Sequence, residues 1–350
     1  MGVVVPRVTA AQAAAAGGVK NLISGLLDML KSISSQMELR EKGVAALRSL
    51  AMQSAENAVF IAAGLPQLVE LTVSGSETAK VHAAATLAIV SRGNLQHQLS
   101  IGKLGGITAL ATLLKSGSSS VQEQAAAAVA SISMAAANKE PAIKAGALPP
   151  LVSLLKSGSS EAQLHASEAV GNLASLVDAQ MTVQKTGGIQ RLLALLGSGK
   201  AQEFAARALA KLSHQNHAVQ AEVIKNGGVA LLLALLSGLS VEAQTQAAAA
   251  IAELAQGANG KNRKRTQDAI AKAGGIGPLL QLIESRYPHA VAEAVHAIAQ
   301  VHTRMRVHVH AHAHASTCVH MHMLSTRSHR SQRATVPTRK ASRRWVGCGR

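Results

Sequence analysis

Two kinds of apolar stretch alternate along the chain, one short and leucine-rich, the other longer and alanine-rich. Leu110, Leu113 and Leu114 recur as Leu151, Leu154 and Leu155, as Leu192, Leu195 and Leu196, and as Leu232, Leu235 and Leu236. Spacings of three and four put each set on one face of a helix. A Ser/Gly segment follows each one: Ser116-Gly117-Ser118, Ser157-Gly158-Ser159, Gly197-Ser198-Gly199 and Ser237-Gly238. There glycine is expected to supply a positive-φ turn and serine to cap the next helix. The alanine-rich stretches, such as 122–133 and 161–175, predict that next, longer helix.

A third signal sets the period. A small-residue pair followed by an apolar residue occurs seven times, its second position at 18, 64, 106, 146, 188, 228 and 275, at intervals of 40 to 47 residues. Before the pair sits a short helical stretch with one apolar anchor: Ile61, Ile101, Ile143, Val183, Ile224 or Ile270. A fixed period of this length marks a repeat architecture, in which no unit buries its apolar face alone and stacking creates a continuous core.

Composition sharpens this reading. Apolar residues are 48% of the chain while aromatic residues are 1%, so the core is built from Ala, Leu, Ile and Val. That mixture favours closely packed helices and argues against sandwiches and barrels. Alanine runs at 125–128 and 247–250 are expected at the contacts, where they let helices approach. Charged residues, at 15%, are too few for a heavily solvated coiled coil.

Short helix, Gly-Gly, helix, Ser-Gly, long helix, repeated every 42 residues or so, resembles the armadillo repeat over residues 10–301. The resemblance implies an all-α, right-handed α-solenoid of about seven three-helix repeats, with the third helices lining a concave groove. The expected organisation is an N-terminal extension (1–9), the solenoid (10–301) and a disordered His/Arg-rich tail (302–350). The HEAT repeat has a similar period but lacks the Gly-Gly corner.

The net charge of +17 belongs largely to the tail: ten Lys and Arg and no acid lie beyond residue 301, leaving +7 for the rest. The basic balance is therefore poor support for specific nucleic-acid binding by the repeats. The tail's alternating histidines (His308, His310, His312, His314) suggest either Zn²⁺ affinity or a segment without a selected role. Both cysteines, Cys318 and Cys348, also lie there. The repeats lack cysteine and Asn-x-Ser/Thr acceptors, which fits a reducing compartment, cytoplasm or nucleus. The longest apolar run, 229–236, is far short of the ~20 residues of a membrane span.

No His-Glu-x-x-His, Cys-x-x-Cys or Gly-x-Ser-x-Gly occurs. No enzyme activity, metal or cofactor is expected of the repeats, and function is assigned to the groove. Aligned third helices place Ser49, Ile89, Ser131, Asn172, Lys211, Glu253 and Gln300 where the resemblance implies a peptide-binding Asn; only Asn172 fits. The tryptophan that partners this Asn in nuclear-import receptors is absent from the repeats, since the only Trp is Trp345. One and two turns earlier lie Glu161, His165 and Glu168 in the fourth unit, Lys200, Phe204, Arg207 and Lys211 in the fifth, and Glu242 and Gln246 with Glu253 in the sixth. This acidic, basic, acidic pattern is either a binding strip for a partner segment or a set of ion pairs between repeats. Phe204 is either a groove anchor or a core plug. A basic cluster, Lys261, Arg263, Lys264 and Arg265, in an insertion at 256–266 before the seventh corner, reads either as a nuclear-localisation or anion-binding patch or as a solvated loop, and the loop is expected.

The leading function is a non-catalytic protein-interaction scaffold. Two alternatives follow from the resemblance. One is an adaptor or fragment of a U-box-type ubiquitin ligase. The other is a vacuolar-type membrane tether; there Met1-Gly2 is present, but Pro6 stands where acylation wants Ser or Thr, so membrane anchoring is not expected.

Overall fold

The structure is a computed structural model and describes residues 18–31, 37–197, 199–256 and 260–301. Among the described residues there are helices and turns and no strand. They form an α-solenoid of seven units. The first contributes Gly18–Lys31 and Met37–Gln53. Complete triplets follow: Ala55–Ile61, Leu65–Ser74 and Glu77–Ser91 in the second unit, then Leu95–Lys103, Gly106–Leu113 and Ser119–Ile132 in the third. The fourth holds Ala136–Lys144, Leu148–Ser157 and Ser160–Leu173; the fifth Val177–Lys185, Gly188–Leu196 and Gln202–Ser213. The sixth holds His217–Lys225, Gly228–Leu236 and Val241–Gln256, and the seventh Gly260–Lys272, Ile276–Ile283 and Pro288–Val301. The basic cluster thus starts a helix and is not in a loop: Lys and Arg are good helix formers, and the inserted residues lengthen the unit's first helix.

The corner between first and second helices departs from the glycine-pair reading in register. Positive φ occurs at Gly105, Gly146, Gly187, Gly227 and Gly274, between +71° and +80°. Gly146 is therefore the partner of the first glycine in the other pairs, and Ala147 stands in for the second. Two separate constraints act here. The first glycine adopts the left-handed conformation that ends a helix. The next residue returns a hydrogen bond five residues back, Ala147 N–H to Ala142 C=O at 3.1 Å and Gly275 N–H to Ile270 C=O at 3.0 Å.

The second glycine answers to packing. Its φ is helical, but a Cβ on Gly188 would lie 2.5 Å from Val183 Cγ1, and one on Gly228 would lie 2.5 Å from Val223 Cγ1. Where the second position is Ala147, the residue five back is Ala142, with no branch to collide. This corrects two anchors: Ala142 and Val223 are buried, whereas Ile143 and Ile224 are only half-buried. The second unit solves the corner differently, through a 3-10 turn over Ala62–Gly64 in which Gly64 has φ −95°. In the Ser/Gly segments Gly199 has the expected positive φ, +83°, whereas Gly75 and Gly158 are extended. They are required by contact: a Cβ there would meet the Leu71 or Leu154 carbonyl oxygen at 2.5 or 2.7 Å. Ser76 and Ser159 do cap the third helices, accepting from Ala79 N–H and Ala162 N–H.

The third helices stack directly on one another. At the closest point a Cβ on Gly171 would lie 3.3 Å from Ala208 Cα. Ala125–Ala128 and Ala247, Ala248 and Ala250 are buried as expected. One feature escaped the sequence reading. Each first helix of units two to six carries an amide that donates back to the end of the preceding third helix: Asn57 to Leu50 C=O, Gln98 to Ser91, Asn138 to Ile132, Gln180 to Ala174 and Gln220 to Ser213, at 2.8–3.0 Å. These bonds satisfy carbonyls that a helix C-terminus leaves free.

By length and composition, one continuous helical stretch among the described residues, Ala55–Ser74, is apolar enough to cross a membrane. Its Ile61, Leu68 and Leu71 are fully buried in the array's own core. At the C-terminal end, Ala290, Ala294, Ala297, Ile298 and Val301 pack inward, while Val291 and Val295 are half-exposed, so Ala297 and not these valines completes the seam. The expected tail and N-terminal extension lie outside the described residues.

Two outcomes follow. Gly188→Ala alone is expected to cost about 1–3 kcal/mol by overpacking, and Val183→Ala to relieve it, so that a double-mutant cycle by chemical denaturation shows coupling of about 1 kcal/mol or more. Hydrogen exchange is expected to be faster in Pro288–Val301 than in Ser119–Ile132, because among the described residues Ser119–Ile132 has a third helix on either side and Pro288–Val301 on one.

Candidate functional site

The stacked third helices present one lateral row of side chains per unit, and this row is the groove. Its residues sit between alanines whose small size holds neighbouring helices close, so charges on adjacent units meet. Lys200 Nζ lies 2.5 Å from Glu161 Oε1, both exposed. Arg207 Nη2 lies 3.7 Å from Glu168 Oε1, and His214 Nδ1 3.2 Å from Glu253. Much of the acidic, basic, acidic pattern is thus satisfied between repeats. An exposed pair such as Lys200–Glu161 contributes little, about 0–1 kcal/mol, whereas Arg207–Glu168 is largely buried.

The expected site residues separate into those the groove displays and one it withholds. Asn172 is buried, and its Nδ2 donates to Ala130 C=O at 2.9 Å in the preceding third helix. That bond uses within the protein a donor the resemblance assigns to a bound peptide. Phe204 is half-buried rather than a core plug, and the Arg207 guanidinium lies over its ring at 4.7 Å. The two form a cation–π pair on the groove wall. The Nε and Nη2 of Arg207 are buried without a hydrogen-bond acceptor.

Arg207, Lys211 and Glu253 converge on a depression of about 460 Å³ that also draws in His214, His289 and Glu293. Burial, then the charges of Arg207 and Lys139, lower the Lys211 pKa, against the pull of Glu168. Glu203, which the sequence reading passed over, is half-buried beside them, and burial raises its pKa. The missed histidines His289 and His296 stand one repeat beyond the expected strip; only superposing the seventh third helix on the sixth reveals them. Glu161 and His165 lie towards the other end. His165 has a buried Nδ1 without a partner. Its pKa is lowered by burial first and by Arg92 among nearby charges, against Glu168, Glu161 and Glu123. His82 is likewise lowered, by burial and Arg48.

Among the described residues, no group of three or more His, Cys, Asp or Glu side chains is placed to hold a metal ion.

Because the folded state favours neutral His82 and His165, their contribution to stability is present above the free-imidazole pKa and is lost as pH falls below it. The melting temperature of a His82→Gln, His165→Gln variant is expected to fall less between pH 7 and pH 5 than that of the parent chain.

Comparison with known proteins bears on this geometry. The family model described as "Armadillo/beta-catenin-like repeat" matches residues 96–134 and 136–175. No curated protein matches the chain. Among solved structures, an engineered protein from the Northeast Structural Genomics Consortium is 32% identical, with a TM-score of 0.61 over 68% of this chain and 96% of that one. A designed armadillo repeat protein, YIII(Dq)4CqI, is 27% identical with a TM-score of 0.61, over 68% of this chain and 100% of its own. A related design, solved in complex with the peptide (KR)4, is 26% identical with a TM-score of 0.59, over 68% of this chain and 99% of its own. With its glycine corners, three-helix units and stacked third helices, the chain belongs to the armadillo-repeat family.

Proposed function

We propose that the protein is a non-catalytic interaction scaffold that receives an extended segment of a partner protein along the row of third helices. The observation that carries this reading is the open depression lined by Arg207, Lys211, His214 and Glu253, which places side chains of both charges on alanine-floored walls. Such a surface suits a polypeptide, whose backbone and side chains need donors and acceptors in alternation. The likeness to a designed armadillo protein crystallised with a peptide supports the same reading. Residence in the cytoplasm or nucleus is part of the proposal and rests on the cysteine-free repeats.

The test is capture of partners from a lysate on the immobilised full chain. A Glu168→Ala, Phe204→Ala, Arg207→Ala, Lys211→Ala variant removes opposite charges in a pair together with the aromatic wall, leaving the core untouched. Its helicity by circular dichroism is expected to match the parent, while specific capture drops at least tenfold, a loss of about 1.4 kcal/mol. Undiminished capture places the binding surface elsewhere.

A further inference from the structure

The groove is not uniform. From the fourth to the seventh unit, several groove bases face a carboxylate: Lys200 has Glu161, Arg207 has Glu168, and the His214 and His289 rings lie beside Glu253 and Glu293. Towards the N-terminal end this pairing stops. There Arg48, Arg92 and His165 surround a depression of about 250 Å³ whose floor includes Ala85, Ile89 and Ala127.

Among the described residues, neither arginine is paired with an acid. Arg48 has only the His82 ring near its Nη1, with Nδ1 at 3.5 Å, and its Nε–H is buried without an acceptor. Arg92, at the end of the second unit's third helix, is exposed and makes no side-chain hydrogen bond or ion pair among the described residues. The carboxylates in range are engaged elsewhere. Glu41 accepts from the Ser76 hydroxyl, Glu123 accepts from Ser159 and Gln124, and Glu161 and Glu168 hold Lys200 and Arg207. The two imidazoles nearby are disfavoured as cations by burial and by these same arginines, so they remain available as neutral donors or acceptors.

A guanidinium carries five N–H donors and no acceptor. Two of them on an alanine floor, one with a buried donor unsatisfied, form an incomplete arrangement. An anion completes it, and a carboxylate matches the guanidinium fork. We infer that the N-terminal end of the groove is a docking station for an acidic, extended peptide segment, whose carboxylate sits between Arg48 and Arg92 while an apolar side chain two residues away rests on Ala85, Ile89 and Ala127. Alternate residues of an extended chain point the same way, so an acidic residue and an apolar residue two positions apart present both features to one wall. The inference rests on the groove function proposed above and adds the charge and register of the partner.

The experiment uses the full chain and two fluorescein-labelled eight-residue peptides, one repeating Glu-Ser-Leu-Ser and the other Lys-Ser-Leu-Ser, read by fluorescence anisotropy. The Glu–Leu peptide is expected to bind and the Lys–Leu peptide to bind at least tenfold more weakly. Arg48→Gln with Arg92→Gln is expected to weaken the Glu–Leu peptide about tenfold or more, the scale of losing charged hydrogen bonds. Lys103→Gln with Lys185→Gln, which lowers the charge equally at exposed ends of first helices, is expected to change it less than twofold. Because Arg92 is exposed, Arg92→Glu keeps the fold and is expected to weaken the Glu–Leu peptide at least as much as Arg92→Gln. Equal binding of the two peptides, or indifference to Arg48 and Arg92, overturns the inference. If the mid-groove variant still loses its captured partners in that case, the groove function stands without this station; if it retains them, both readings fall.

Discussion

The contact of one third helix directly on the next is the interaction on which the rest of this structure depends. It is a contact between small residues. Gly171 faces the backbone at Ala208, and buried alanines fill the seams on either side. Larger residues would hold the helices apart and separate Glu161 from Lys200 and Glu168 from Arg207. The near-absence of aromatic residues is thus a geometric requirement of the groove as much as a feature of the core.

Two devices hold that contact in register. The corner glycines turn the chain between first and second helices, and the first-helix amides tie each unit to the end of the third helix before it. Asn138 ties its unit to the preceding one twice, donating to Ile132 C=O and to Gln98 C=O, 3.0 and 2.8 Å away. The amides fix the end of the third helix, and the corner fixes where the next unit begins. Groove side chains are therefore placed by backbone hydrogen bonding far from the groove itself.

The repeat, its helices and the position of the groove were legible in the sequence because each depends on periodic residue types. Details that depend on which atom touches which were not. Gly146 looked like the second residue of a pair because only small size is visible in a sequence; its φ and the smallness of Ala142 show it to be the first. Asn172 carries the right chemical group for a groove, but burial and the Ala130 carbonyl claim it. The basic insertion reads as a loop by charge, yet its residues are helix formers and extend an existing helix. Arg48 and Arg92 were passed over because the meaning of a cation lies in the absence of an acid nearby, and residues from four different units decide that.

The central claim is that binding occurs on the row of third helices. Methyl NMR of the full chain, labelled at alanine and isoleucine methyls and titrated with a captured partner segment, tests it most directly. The account predicts shifts at groove methyls, Ala85, Ile89, Ala127 and Ala249, with little change at Ile143 and Ile224 on the first helices. Shifts confined to the first helices, with the groove methyls unmoved, would contradict it.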